Sequence, residues 1–98
     1  METILPIEVK ERLAKGEQLT IIDVREDEEV AAGMIPGAQH IPLGTLPFRH
    51  GEIPEKDEII VVCRSGNRSG RAYDYLQSLG YHGLKNMTGG MLEWDKLS

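Results

Sequence analysis

Four β-branched residues in succession, Ile59-Ile60-Val61-Val62, run straight into Cys63 and then into a polar, doubly basic segment, Arg64-Ser65-Gly66-Asn67-Arg68-Ser69. A short apolar run of this composition reads as a buried strand. From Arg68 onward Ala72, Tyr75, Leu76 and Leu79 recur at helical spacing, so Cys63 lies in a strand-to-helix turn. In an α/β sheet, ligands and chemistry gather at that edge.

The remainder of the chain supports the same class. Pro6 to Lys15 read as a first helix closed by Gly16, and Leu19 to Val24 as a buried strand. Glu26, Asp27, Glu28 and Glu29 crowd the start of a short helix, where acids suit the positive end of the dipole, and Gly33 can end it. This acid run is expected to be a solvated helix start, not an acidic binding site. Ala38 to Ile41 read as a short strand, and Pro42 to Pro54, with three prolines and two glycines, as an irregular excursion. A long helix from about Arg68 to Leu79 ends at Gly80, Leu84 to Asn86 form a last short strand, and Met91 to Leu97 a closing helix. The order is helix, strand, helix, strand, irregular segment, strand, loop, helix, strand, helix.

Ninety-eight residues suffice for one domain, 1–98, with one modest core. Hydrophobic content of 40% is ordinary for a globular protein, and no long apolar segment or signal-like start is present. A soluble, cytoplasmic monomer is the expectation. The single cysteine excludes an internal disulfide, a Cys-x-x-Cys redox pair and a cysteine-rich zinc site. His40, His50 and His82 lack metal-ligand spacing and read as loop or surface residues. Nothing calls for a metal or organic cofactor. The net charge of −5 argues against a general nucleic-acid partner, although a local basic pocket around the loop is compatible with it.

A lone cysteine finishing a core strand is ordinarily a small apolar residue. Three features favour a reactive sulfur here. The helix that follows leaves its opening N–H groups unpaired and turned toward the loop. Arg64 and Arg68 flank the loop, and nearby positive charge favours thiolate over thiol. Gly66 and Asn67 tolerate left-handed backbone, which lets successive amides curl inward as an anion-binding nest. A helix terminus supplies about 0.3–1 kcal/mol, and a shift of about two pKa units is worth roughly 2.7 kcal/mol, so the loop amides and arginines must supply the balance.

Cys63-Arg64-Ser65-Gly66-Asn67-Arg68-Ser69 resembles the active-site loop of the rhodanese family of sulfurtransferases. Asp23-Val24-Arg25, Gly33-Met34-Ile35-Pro36-Gly37-Ala38, His40-Ile41-Pro42 and Gly89-Gly90 followed by Trp94 are similar, in order and spacing, to the family's other motifs. The resemblance covers the chain from about Leu19 to about Leu97. It departs at Met34, where the family often has histidine, and at Met91, where an aromatic residue often follows the Gly-Gly pair; both read as packing variations.

The resemblance implies a rhodanese-like fold, a four- to five-stranded parallel sheet with helices on both faces, and ping-pong sulfur transfer. Cys63 is the implied nucleophile, taking the outer sulfur of a donor such as thiosulfate and passing it to cyanide, a small thiol or a protein thiol. The amides of residues 64–69 would hold the anionic sulfur. Arg64 and Arg68 are the candidates for steering and holding the donor, and Ser65 and Ser69 the candidate hydroxyl donors to the persulfide. Asp23 and Arg25 read as a structural salt bridge, and Trp94 as core. The rivals are a cysteine-dependent phosphatase and a persulfide carrier or interaction module. The phosphatase loop requires Cys-x5-Arg, and here Ser69 stands where that arginine belongs. Arsenate reduction is disfavoured on the same loop grounds. A carrier would keep the same cysteine and loop, so donor preference is what separates it from a thiosulfate enzyme.

Overall fold

The computed structural model describes residues 1–97; Ser98, the last residue of the expected domain, lies outside them. The elements are β1 (Thr3–Ile4), α1 (Pro6–Ala14), β2 (Ile21–Asp23), α2 (Asp27–Ala31), β3 (Gln39–His40), α3 (Leu46–Arg49), β4 (Ile59–Val62), α4 (Asn67–Ser78), β5 (Leu84–Met87) and α5 (Gly90–Trp94). All strand pairs are parallel, in the order β1-β5-β4-β2-β3. The α/β reading with a parallel sheet therefore holds, with five strands.

Alternation along the strands divides the core into two layers. Ile22, Val24, Ile59, Val61 and Cys63 face the layer filled by Ala72, Tyr73 and Leu76 of α4 and Leu46 of α3. Ile21, Ile60 and Val62 face the other layer, with Val9 of α1, Ile35 and Met91 of α5. Ile22, Ile60, Val61 and Val62 are fully buried, which explains why β4 carries no polar alternation. Each such side chain contributes roughly 1.5–3 kcal/mol relative to exposure. Trp94 is half-buried, packed at the edge of the α1–α5 layer with the Lys10 ammonium 5.9 Å from its ring centroid.

The strand order places the site. After β2 the chain crosses outward to β3; after β4 it crosses the opposite way, to β5. The carboxyl ends of β2 and β4 are thus a topological switch point, where a crevice for ligands forms. Asp23 lies in register with Val62, and the Val24 amide donates to the Val62 carbonyl at 2.9 Å. Cys63 and Asp23 consequently leave the sheet side by side.

Two details differ from the expected order. The edge strand β1 precedes the first helix, pairing Thr3 with Asn86 and Ile4 with Met87; two residues are too few to show a period. The irregular excursion contains α3 between two 3₁₀ turns, Leu43–Thr45 and His50–Glu52. His40 lies in β3, within the expected Ala38 to Ile41 strand, its Nε2 2.7 Å from the Arg25 carbonyl oxygen.

Candidate active site

β4 ends at Val62, and the turn after it folds back over the Cys63 side chain. Gly66 makes this possible. At φ +110° it caps α4 in a conformation L side chains rarely adopt, and its N–H donates to Cys63 Sγ at 3.0 Å. Asn67, also expected to tolerate left-handed backbone, is instead the first residue of α4, and every positive φ among the described residues belongs to glycine. Ser69 Oγ lies 3.3 Å from the sulfur. Burial pushes the Cys63 thiol up, but the Ser69 hydroxyl and the amides of Ser69, Gly66 and Ser65 outweigh it, so the thiol is held below its ordinary value. The largest causes of the lowering are hydrogen bonds to the anion, with the nearby Arg68 charge acting in the same direction.

The Gly89-Gly90 pair holds this turn from behind. Met91 and Leu92, at the start of α5, donate their amides to the carbonyls of Cys63 and Arg64 at 2.9 and 3.0 Å. A Cβ on Gly90 (φ +58°) would stand 2.5 Å from both carbonyl oxygens, so only glycine lets α5 approach. With those carbonyls fixed on α5, the following amides are left for the sulfur.

Two residues that sequence reasoning did not place at the site reach it from other segments. Asn86 of β5, 8% exposed, donates from Nδ2 to the Gly66 carbonyl at 3.0 Å and accepts the Ser69 hydroxyl on Oδ1 at 2.5 Å. Ser69 has one hydroxyl proton, so it serves Asn86 or Cys63, one at a time. Glu29 of α2 binds Arg68 through both carboxylate oxygens, at 2.6 and 2.8 Å. The Arg68 guanidinium holds the Glu29 carboxyl down at about 2, and Glu29 in turn raises Arg68. The acid run is therefore not wholly a solvated helix start: Glu26, Asp27 and Glu28 are exposed, while Glu29 is committed to Arg68 at the start of α4.

Asp23 and Arg25 form the expected salt bridge. Arg25 Nε donates to both Asp23 oxygens at 2.9 and 3.1 Å, and Nη2 to Oδ2 at 2.8 Å. The same guanidinium donates to the Gly33 carbonyl at 2.8 Å, holding both ends of the α2 segment. Asp23 is 1% and Arg25 6% exposed. Removing one partner would leave the other charged and buried, a cost of about 3–5 kcal/mol.

The sulfur itself is closed over: Cys63 is 0% exposed, Ser69 is buried, and Arg64, Ser65 and Asn67 form an exposed rim above them. Any reagent reaches Sγ only when that rim shifts. Surface clefts of about 430, 430 and 480 Å³ lie at the opposite edge of the sheet, around Tyr81, Leu84 and Thr20. None includes Cys63, and none holds a set of groups comparable to the turn. His50 contacts Tyr81 at that edge, 3.0 Å from Nδ1 to the hydroxyl, and His82 is exposed.

The turn is a cup of N–H and O–H donors around one atom. The Rhodanese-like domain family matches residues 5–97. The chain belongs to the rhodanese family. Over 86 residues it is 40% identical to a sulfurtransferase of Allochromatium vinosum, a match spanning 88% of this chain and 80% of that one. It is 35% identical over 101 residues to a human thiosulfate:glutathione sulfurtransferase, covering 89% of this chain and 87% of that protein. The crystal structure of a rhodanese-like domain protein from Staphylococcus aureus superposes with a TM-score of 0.89 at 36% identity, over 96% of this chain and 91% of that one. The rhodanese motifs of the sequence thus converge on one edge of the sheet: Asp23-Val24-Arg25 and the Cys63 loop side by side, with Gly89-Gly90 beneath the loop. Met91, the departure after the Gly-Gly pair, is 4% exposed among Ile60, Val62 and Met87, a packing position. Among the described residues, no helix is long and apolar enough to cross a membrane.

Proposed function

We propose that this rhodanese-family chain transfers a sulfane sulfur through a persulfide on Cys63, and that residues 1–98 act as one rhodanese domain, a cytoplasmic monomer. The observation that carries the reading is the Gly66 amide 3.0 Å and the Ser69 hydroxyl 3.3 Å from Cys63 Sγ, in a turn too short to end on a phosphate-gripping arginine.

The Cys63 thiolate attacks the outer sulfur of a donor such as thiosulfate. The S–S bond of the donor breaks, sulfite leaves with the electron pair, and Cys63–S–S⁻ remains. The negative charge moves outward by one sulfur, and the amides of Ser65, Gly66 and Ser69, which point at Cys63 Sγ, hold it once the rim has shifted to admit the donor. Ser69 turns its proton from Asn86 to the sulfur as charge develops. Cyanide, a small thiol or a protein thiol then attacks the outer sulfur, and the Cys63 thiolate departs. Both leaving groups are stable anions at neutral pH, so no acid or base is required. Arg64, Ser65 and Asn67 at the rim meet the donor, Arg64 supplying charge, while Gly66 and Arg68 set the shape of the turn.

Steady-state transfer from thiosulfate to cyanide tests this with Cys63→Ser, which nearly conserves volume inside a buried position. Transfer is expected to fall about a thousandfold or more with an unchanged circular dichroism spectrum. Undiminished turnover in the variant would refute the cysteine mechanism.

A further inference from the structure

Two turns at the switch point carry three arginines, and two of them are matched. Arg25 is held by Asp23 and Arg68 by Glu29, each bidentate. Arg64 is exposed and makes no ion pair among the described residues. The rim therefore presents one unmatched guanidinium, while Glu26, Asp27, Glu28 and Glu29 stand together at the start of α2, faced by Arg25, Arg68, Arg49 and the His40 ring, 3.9 Å from Asp27.

We propose that Glu29 is a specificity-determining residue: by occupying both terminal nitrogens of Arg68 it withholds that charge from the donor and biases the site away from dianions, toward singly charged sulfane-sulfur donors. The inference rests on the sulfur-transfer reading and goes beyond it by naming the donor class. It acts through Arg68, so Glu29 itself touches neither donor nor sulfur. The carboxylate stays ionised throughout the working pH range, so the bias is a fixed property of the site. A glutamine in its place can keep an oxygen for the Glu26 amide, which Glu29 Oε1 accepts at 2.9 Å, but it removes the charge and sets an NH2 against Arg68 Nη2, so the bidentate grip is lost with the charge.

The test compares two donors of the same chemistry and different charge, thiosulfate (−2) and methanethiosulfonate (−1). In each, Cys63 thiolate takes the terminal sulfur and the S–S bond breaks, releasing sulfite or methanesulfinate with the electron pair. The readout is the ratio of kcat/KM for thiosulfate to that for methanethiosulfonate. Glu29→Gln is expected to raise this ratio about threefold, mainly through the thiosulfate KM. Adding Arg68→Gln to it should bring the ratio back near the wild-type value. An unchanged or lowered ratio in Glu29→Gln, or a raised ratio that survives in the double variant, would overturn the assignment. Arg64→Ala, which leaves the ion pair intact, gives an independent reading should Glu29→Gln fail to fold: the ratio is expected to fall about threefold, and a constant ratio would overturn the assignment. Sulfur uptake by wild-type protein separates the two levels. Transfer from either donor with a Glu29-independent ratio removes only this inference, whereas transfer from neither removes the sulfur-transfer reading and this one with it.

Discussion

The turns after β2 and β4 leave neighbouring parallel strands at the same edge of the sheet, and each leads into a helix N-terminus, yet the two are filled differently. In the β2–α2 turn the chain fills its own donors. The Asp23 carboxylate accepts the Arg25 amide at 3.1 Å as well as the guanidinium, and Glu29 accepts the Glu26 amide. In the β4–α4 turn the corresponding donors converge on a sulfur. An identical topological position thus gives a structural clamp or, as proposed for Cys63, a reactive centre according to whether the anion in it is a buried carboxylate with its own cation or a thiolate held by amides. The clamp also serves the centre: Arg25 holds α2, α2 carries Glu29, and Glu29 fixes Arg68 at the start of α4.

Breaking the clamp should cost stability first. Asp23→Ala leaves the Arg25 guanidinium buried and unpaired, and a loss of about 3–5 kcal/mol is expected. Urea denaturation would show it as a lower midpoint at unchanged slope; a midpoint within error of wild type would mean that the pair contributes no net stability. Because small domains have only about 5–15 kcal/mol in hand, this change approaches global unfolding.

The reactive turn should respond in its chemistry as well. In Gly90→Ala the new Cβ meets the Cys63 and Arg64 carbonyls at 2.5 Å. A loss of about 1–3 kcal/mol is expected, with slower alkylation of Cys63 by iodoacetamide as its amides are displaced. Unchanged stability would show that α5 can withdraw from the loop freely.

Ser69→Ala gives the smallest effect and the sharpest distinction. Hydrogen bonds to the anion lower the Cys63 thiol, so removing one raises it. The pH profile of alkylation, with a wild-type midpoint below that of an ordinary thiol, should move to higher pH, and the rate at pH 7 should fall about tenfold. A midpoint that stays in place would assign the thiolate to the backbone amides alone.

What could be read from the chain divides along physical lines. β4 and the loop were legible because burial of β4 on both faces enforces an unbroken β-branched run, and because a turn that must reverse over a side chain needs glycine at Gly66. The Asp23–Arg25 pair was legible as two opposite charges two residues apart at a strand end. The two-residue β1 was not, since it is defined by its partner β5 instead of by any period of its own. Asn86 and Glu29 lie 17 and 39 residues from their loop partners Ser69 and Arg68. Glu29 stands among three other acids; its place three residues after Glu26 marks it as a cap, and only the ion pair across to Arg68 at the start of α4 ties it to the loop. Arg68 read as a free charge for the same reason, its partner being invisible at that distance.

The central claim is that the β4–α4 turn holds sulfur as an anion on Cys63. Intact-protein mass spectrometry after incubation with thiosulfate and no reductant, then with cyanide, tests it most directly, with peptide mapping to locate the change. The account predicts a gain of one sulfur atom on the peptide containing Cys63 that cyanide removes. Folded protein that gains no sulfur from thiosulfate or from a small-molecule persulfide, or that gains it elsewhere, would contradict it.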